Sequence, residues 1–498
     1  MKIARTFLMY TVLIVTTIVT AQTDAEIAAE TVDKNEIEGH IYFLADDALK
    51  GRATGSPELK IAASYLANTL RSYGVKPNPG NGTYYQNMDL YHFFLQEEIE
   101  LSFNGQSYPE VVAFDIDAID SEEEAVYLDY GLEKDYKGKD VKGKIIIAKA
   151  GTPEASELRP AMGSRAPKRE LAIQHGARGL IEVGAFDPKL WPRFKHAFEE
   201  RTSLTEGKKE ALPLYLWVQT TPENLAKLGT ESVPLKITSS GIHKEKIKTQ
   251  NVIGVLEGTD PKLKEEYIIY SAHYDHIGIG RPDAKGDSIF NGARDNAIGT
   301  TVVLTMAENL AKYPTKRSAL FILFTGEELG LLGSRYYVEH PVIPLNQMIY
   351  CFNTDGGGYN NTSLATIAGL NRTTAKDKMI QGAKTFGLTA LDIDEVAPEE
   401  GLFDRSDNVS FAKVGIPAPT YSTGFDAFDD EINKYYHQAA DEADSLDYDY
   451  LVKFYQGYIL SGRSIANDPE RPYWIKGDKY EAAGNALYGK VPEVPIKD

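Results

Sequence analysis

The chain has 498 residues, of which 42% are hydrophobic and 25% charged, with a formal net charge of −19. That length exceeds one ordinary core and points to several domains, or one large domain with an insertion, while the composition is that of a folded soluble protein. The acidic excess disfavours nucleic acid and anionic lipid as partners and suits metal ions and cationic groups.

Residues 1–21 read as an export signal. Lys2 and Arg5 supply the positive start, residues 7–19 the apolar stretch, and Val19-Thr20-Ala21 a small-residue cleavage site. Cleavage after Ala21 removes Lys2 and Arg5, taking the charge from −19 to −21, and gives a secreted or periplasmic protein. An uncleaved anchor is the alternative, for which the stretch is short and threonine-rich. No later run is long enough to span a bilayer.

Two amphipathic helices follow, with Ile37, Ile41 and Leu44 on one and Ala62, Leu66, Leu70 and Tyr73 on the other. From about Ser102 the texture changes to short apolar runs (125–128, 144–148, 179–183, 213–218) divided by charged turns, which read as a compact β-rich module. From Asn251 strands and helices alternate, the pattern of a parallel sheet covered by helices. Strands are expected at 267–271, 319–324 and 348–352, and helices at 297–311, 329–339 and, last in the chain, 448–466. The one cysteine, Cys351, lies in an apolar run and reads as a small core residue, not a nucleophile. With no disulfide pair, the exported chain relies on its core.

Ligands of open α/β sheets sit beyond the carboxyl ends of the strands, where loops converge. His273 and Asp275 follow the first of the three expected strands, Glu327 and Glu328 the second, and Asp355 the third. Asp295 lies where a loop enters a helix, so capping by it or by Asn296 is the plain alternative. The paired glutamates likewise suit the first turn of a helix, at the positive end of its dipole. His437, like His276 and His340, would singly be structural or solvated. Convergence on one sheet edge is what separate accidents do not explain. Imidazole with carboxylate and no thiolate suits zinc or another divalent first-row ion, and disfavours calcium. A carboxylate can bridge two such ions, and neighbouring glutamates at a helix start point about 100° apart, one toward metal and one toward water as general base.

The ordered set His273-Tyr274-Asp275, Asp295-Asn296, Gly326-Glu327-Glu328-Leu329, Asp355 and His437 resembles the zinc-dependent aminopeptidase family that includes aminopeptidase Y, secreted bacterial leucine aminopeptidases and plasma glutamate carboxypeptidase. The middle module, with Lys142-Gly-Lys-Ile-Ile146 and Gln174-His-Gly-Ala-Arg-Gly-Leu180, is similar to the protease-associated domain inserted into many members. Lys50-Gly51-Arg52 and Gly55-Ser56 resemble the family's N-terminal segment.

The resemblance implies an α/β fold with a mixed, mainly parallel sheet sandwiched by helices. It implies an N-terminal peptidase part at 22–101, an inserted protease-associated domain at 102–247, and the main peptidase part with its C-terminal helix and tail at 248–498. It also implies two Zn²⁺ ions, with His273 and Asp355 on one, Glu328 and His437 on the other, and Asp295 bridging through a cis Asp295-Asn296 peptide. Glu327 matches the general base, Asp275 the acid that orients His273, Tyr436 a tyrosine that stabilises the tetrahedral intermediate, and Asp441 a following acid. Arg294 and Asn408 depart from the family's commoner residues.

Peptides are the implied substrates, cut from the N-terminus by an aminopeptidase, with no membrane association after signal cleavage. The excess of acid expected around the cleft, from Glu327, Asp355, Asp404, Asp407 and Asp426, suits a free amine. Arg294 and Arg405 are the cations a dipeptide-type carboxypeptidase would need. A glutaminyl cyclase on the same fold and a receptor-like binding protein are the remaining alternatives. Tyr436 and the inserted module weigh against the first, and a complete ligand set with Glu327 against the second.

Overall fold

The computed structural model describes residues 22–207, 211–229 and 232–489. The expected export signal lies outside them. Helices α1 (Lys34–Leu44) and α2 (Pro57–Ser72) bury the apolar faces that their spacing marks: Ile37, Ile41 and Leu44 in α1, and Leu59, Ala62, Leu66 and Leu70 in α2. Asp33 and Ser56 accept backbone N–H groups at the two N-termini, and Pro57 occupies a first-turn position where no N–H is needed.

A ten-stranded sheet is the larger of the two main sheets. Its main strands are β1 (Tyr85–Leu95), β2 (Glu200–Ser203), β3 (Ile242–Leu256), β4 (Tyr267–His273), β5 (Ser318–Phe324), β6 (Met348–Thr354), β7 (Leu364–Ala368), β8 (Thr389–Asp392) and β9 (Thr420–Thr423). In space the order is β8-β7-β9-β6-β4-β5-β3-β1-β2. The sheet is mixed. Its centre, β9-β6-β4-β5, is parallel, as is the β7-β8 pair, while β7-β9 and the β5-β3-β1-β2 side are antiparallel. Continuous apolar runs in β4, β5 and β6 follow from burial on both faces. Ile268, Tyr270 and Ala272 join one core with α3 (Ile298–Lys312) and α5 (Tyr448–Asn467). Ile269, Leu320, Ile322, Phe324 and Cys351 join the opposite core with Tyr337 of α4 (Leu332–Glu339).

Helix α5 is not the last. Glu481–Tyr488 is also helical and packs Leu487 and Tyr488 against the second core; its eight residues show too short an apolar stripe to stand out in the sequence. A second sheet, of eight strands between Glu100 and Ser239, encloses its own apolar clusters, with Ile145, Ile147, Ile181 and Val218 on one face and Ile146, Leu180 and Trp217 on the other. Within the same stretch of chain, β2 departs from this sheet and pairs with β1 at the edge of the larger one. Among the described residues, no helix is long and apolar enough to cross a membrane.

Candidate metal centre

Three parallel strands end at one edge, and their loops bring the acids and imidazoles together. His273 is the last residue of β4, where the ladder to Phe324 of β5 and the Thr300 hydroxyl, which donates to its carbonyl at 2.7 Å, fix its backbone. Its Nδ1 stands 3.1 Å from the Asp275 backbone carbonyl, which leaves Nε2 facing the cleft. The Asp275 carboxylate is farther away, at 3.9 Å. It accepts instead from the Thr54 hydroxyl at 2.7 Å and the Glu327 N–H at 3.2 Å, so orientation of the imidazole falls to the Asp275 carbonyl while the side chain holds the glutamate turn.

The glutamates do not begin a helix. Residues 326–331 form a turn, and α4 starts only at Leu332. Gly326 and Gly330 adopt φ of 69° and 98°, backbone that glycine alone reaches freely, and together they interrupt helical dihedrals on both sides of the pair. Asp295 does not cap α3 either. It lies in a buried irregular turn (Ala293–Ala297) whose Asp295-Asn296 peptide is cis, and Asn296 takes the capping duty by accepting the Gly299 N–H at 3.0 Å.

Across the cleft, His273 Nε2 lies 3.2 Å from Asp295 Oδ1 and 3.2 Å from Asp355 Oδ1. His437 Nε2 lies 3.2 Å from Asp295 Oδ2 and 3.3 Å from Glu328 Oε2. The two oxygens of Asp295 therefore face different histidines. Donors at about 2.0–2.1 Å around a tetrahedral ion stand about 3.3 Å apart, so these pairs have the separations that N/O ligands sharing an ion would show. His273, Asp295 and Glu328 also offer atoms within 4.8 Å of one another. The donor set fits zinc.

Burial would neutralise such groups unless partners opposed it. Burial pushes the Asp295 carboxyl up, but contacts with His273 and His437 hold it well below the usual range. Burial and the neighbouring Asp295 push Glu328 up, yet His276 and His437 bring it to about 2. Burial lowers His437, but Asp295 and Glu328 raise it to about 10. Glu327 behaves differently: burial pushes it well above a normal carboxyl, His273 opposes, and Asp355 and Glu328 add to the rise. A dication beside it would favour the charged form that a proton acceptor requires.

The cleft over this cluster has a volume of about 740 Å³ and opens to solvent. Ala368, Ile393, Leu402, Phe425 and Phe428 make one side apolar, and Tyr436 stacks on His437 with ring centroids 4.0 Å apart. The wider acidic rim is not there. Asp404 pairs with Lys479 and Tyr480, Asp426 lies outside the cleft lining, and Asp407 is fully buried beneath the site, not on its rim. Of the two arginines, Arg294 is committed to Asp441 at 3.2 Å and to Ser445 at 2.6 Å, whereas Arg405 lines the cleft. His175, His196 and His243 sit away from it: His175 stacks on Tyr136, His196 is exposed beside Glu199, and His243 packs near Phe94.

Two residues at the centre escape sequence reasoning. His276, three positions after His273, places Nδ1 2.6 Å from Glu328 Oε1. Arg52, wholly buried, donates to the carbonyls of Leu44, Tyr274, Asn291 and Gly292, tying the N-terminal segment to two loops of the site. The signals for Arg52 are its place in a polar turn between two helices and the resemblance of Lys50-Gly51-Arg52 to the family's N-terminal segment, neither of which gives its partners.

Residues 251–460 match the model of peptidase family M28. That stretch contains the site residues from His273 to His437. The chain's relatives include aminopeptidase YwaD of Bacillus subtilis, 26% identical over 319 residues that make up 64% of this chain and 61% of the relative. A probable leucine aminopeptidase 2 of Aspergillus oryzae is 22% identical over 470 residues, 86% of each chain. Among solved structures, the aminopeptidase from Aneurinibacillus sp. strain AM-1 covers 90% of this chain and 97% of its own, with a TM-score of 0.58 and 21% identity, a likeness of fold. The family match and the aminopeptidase relatives support a zinc metallopeptidase.

Proposed function

We propose that the protein is a secreted di-zinc aminopeptidase that removes N-terminal residues from peptides. The observation that carries this is Asp295, whose two oxygens each stand 3.2 Å from a different histidine, as a carboxylate shared by two ions requires. His273 and Asp355 would hold one ion, Glu328 and His437 the other, with Asp295 between them. Bound zinc would supply Lewis acidity and lower the pKa of water at the site.

Glu327, on its own turn beside Asp355 and Glu328, accepts the proton of the attacking water and returns it to the leaving amine. The Tyr436 hydroxyl, at the cleft wall, donates to the developing oxyanion. Glu327 and Asp355 face a free α-ammonium, and the apolar wall takes an aliphatic or aromatic side chain. Residues 102–247 form an inserted protease-associated domain remote from the chemistry, and residues 1–21 the signal that exports the chain.

The test is a metal count on purified protein with a matched pair of leucyl substrates, one N-acetylated. Two zinc ions per chain and cleavage of the free-amine substrate alone are expected. Equal cleavage of both would overturn the aminopeptidase assignment. Arg405 favours one second reading, a dipeptide carboxypeptidase, because it is a cation that lines the cleft; cleavage of N-acetylated dipeptides that is lost when their C-terminal carboxylate is amidated would support it.

A further inference from the structure

His276 is 2% exposed and makes one side-chain hydrogen bond, from Nδ1 to Glu328 Oε1 at 2.6 Å. Among the described residues, its Nε2 is buried without a partner. That separation is a hydrogen-bond distance and is too short for two donors of one tetrahedral ion, which stand about 3.3 Å apart. The other Glu328 oxygen, Oε2, is the one at 3.3 Å from His437 Nε2. Each oxygen of this carboxylate thus has its own duty.

The imidazole is itself held in place. Its backbone N–H donates to the Arg52 carbonyl at 3.2 Å. Against its ring lies Gly292, where a side-chain carbon would come within 2.6 Å, so only glycine leaves the ring room. The Gly292 carbonyl is fixed in turn by the Arg52 guanidinium at 3.1 Å. Glu328 sits on a turn between two positive-φ glycines and has no helix to restrain it.

We infer that His276 is a positioning residue for Glu328: it pins Oε1 so that Oε2 is presented to the ion shared with His437. The inference rests on the reading of Glu328 as a metal ligand. An unpinned Glu328 would sample other rotamers and lose ordering before each binding event, and groups that orient a ligand commonly contribute about 10- to 100-fold in metal affinity.

Zinc affinity of the metal-stripped protein, measured by competition with a chromophoric chelator, tests this on four variants checked for folding by circular dichroism. His276→Ala should weaken one of the two sites about 10- to 100-fold. His276→Asn, whose amide N–H stands where Nδ1 does, should recover most of that loss. His276→Gln, whose amide reaches the Nε2 position instead, should not. Glu328→Gln should lose the same site as His276→Ala. Equal retention by the Asn and Gln variants, whether both normal or both impaired, overturns the positioning role even if the Ala variant fails to fold. Normal zinc binding by His276→Ala with loss in Glu328→Gln also overturns it and leaves the ligand assignment standing. Two normal sites in Glu328→Gln would remove the reading on which the inference rests.

Discussion

Asp441 accepts the backbone N–H of Asp295 at 3.2 Å, joining the loop that presents Asp295 to the segment that presents His437, across 146 residues of sequence. The same carboxylate accepts the Arg294 N–H at 3.0 Å and its guanidinium at 3.2 Å, and Arg294 and Asp441 are both almost wholly buried. Removing one partner of a buried pair strands the other charge. Asp441→Ala is therefore expected to lose about 3–5 kcal/mol of stability and to retain less zinc. Urea unfolding with metal analysis checks both, and unchanged zinc content would show that Asp295 does not depend on this tie.

Glu327→Gln preserves size and a hydrogen-bonding oxygen while abolishing the proton acceptor. Zinc content should stay at the wild-type level while turnover falls by about 10²- to 10⁴-fold. Wild-type turnover in this variant would reassign the base.

Asp295→Ala should behave otherwise, since its two oxygens face two histidines. Zinc content should drop together with activity, and the melting temperature with it, because bound metal stabilises the native state by mass action. Two tightly held ions in this variant would exclude Asp295 from the centre.

Cys351 is fully buried, and that burial pushes its thiol up to about 12. The nucleophilic thiolate should therefore be scarce at ordinary pH. Iodoacetamide at pH 8.5 should leave the folded protein unmodified and add one adduct after unfolding in urea, read by intact mass. Rapid labelling of the folded protein would place the cysteine at an accessible site.

Much of the fold is legible because its signals are local. The apolar runs of β4, β5 and β6 mark central strands, since only strands buried on both faces lack alternation. The amphipathic spacing of α2 likewise follows from one buried face. The polar residues at 273, 327, 328 and 355 stand out for a related reason, each ending or following an apolar strand, whereas Asp295 and His437 lie in loops beside helices and are marked by the ordered family resemblance.

What the sequence by itself determined, then, is which residue types reach that edge and in what order. Tertiary structure decided how they meet. The pairing of Asp295 Oδ1 with His273 and Oδ2 with His437 depends on backbone dihedrals summed over 142 residues between Asp295 and His437. The partnership of His276 with Glu328 likewise joins loops 52 residues apart. The glutamate turn ran against the helix expected there because two glycines with positive φ overrode the residues' helical preference. Asp404 turned out of the cleft because side-chain direction follows the local fold and its partners, here Lys479 and Tyr480, which lie 75 and 76 residues away in sequence. Periodicity and composition report burial along the chain, whereas distance and direction across the site arise only once distant segments pack.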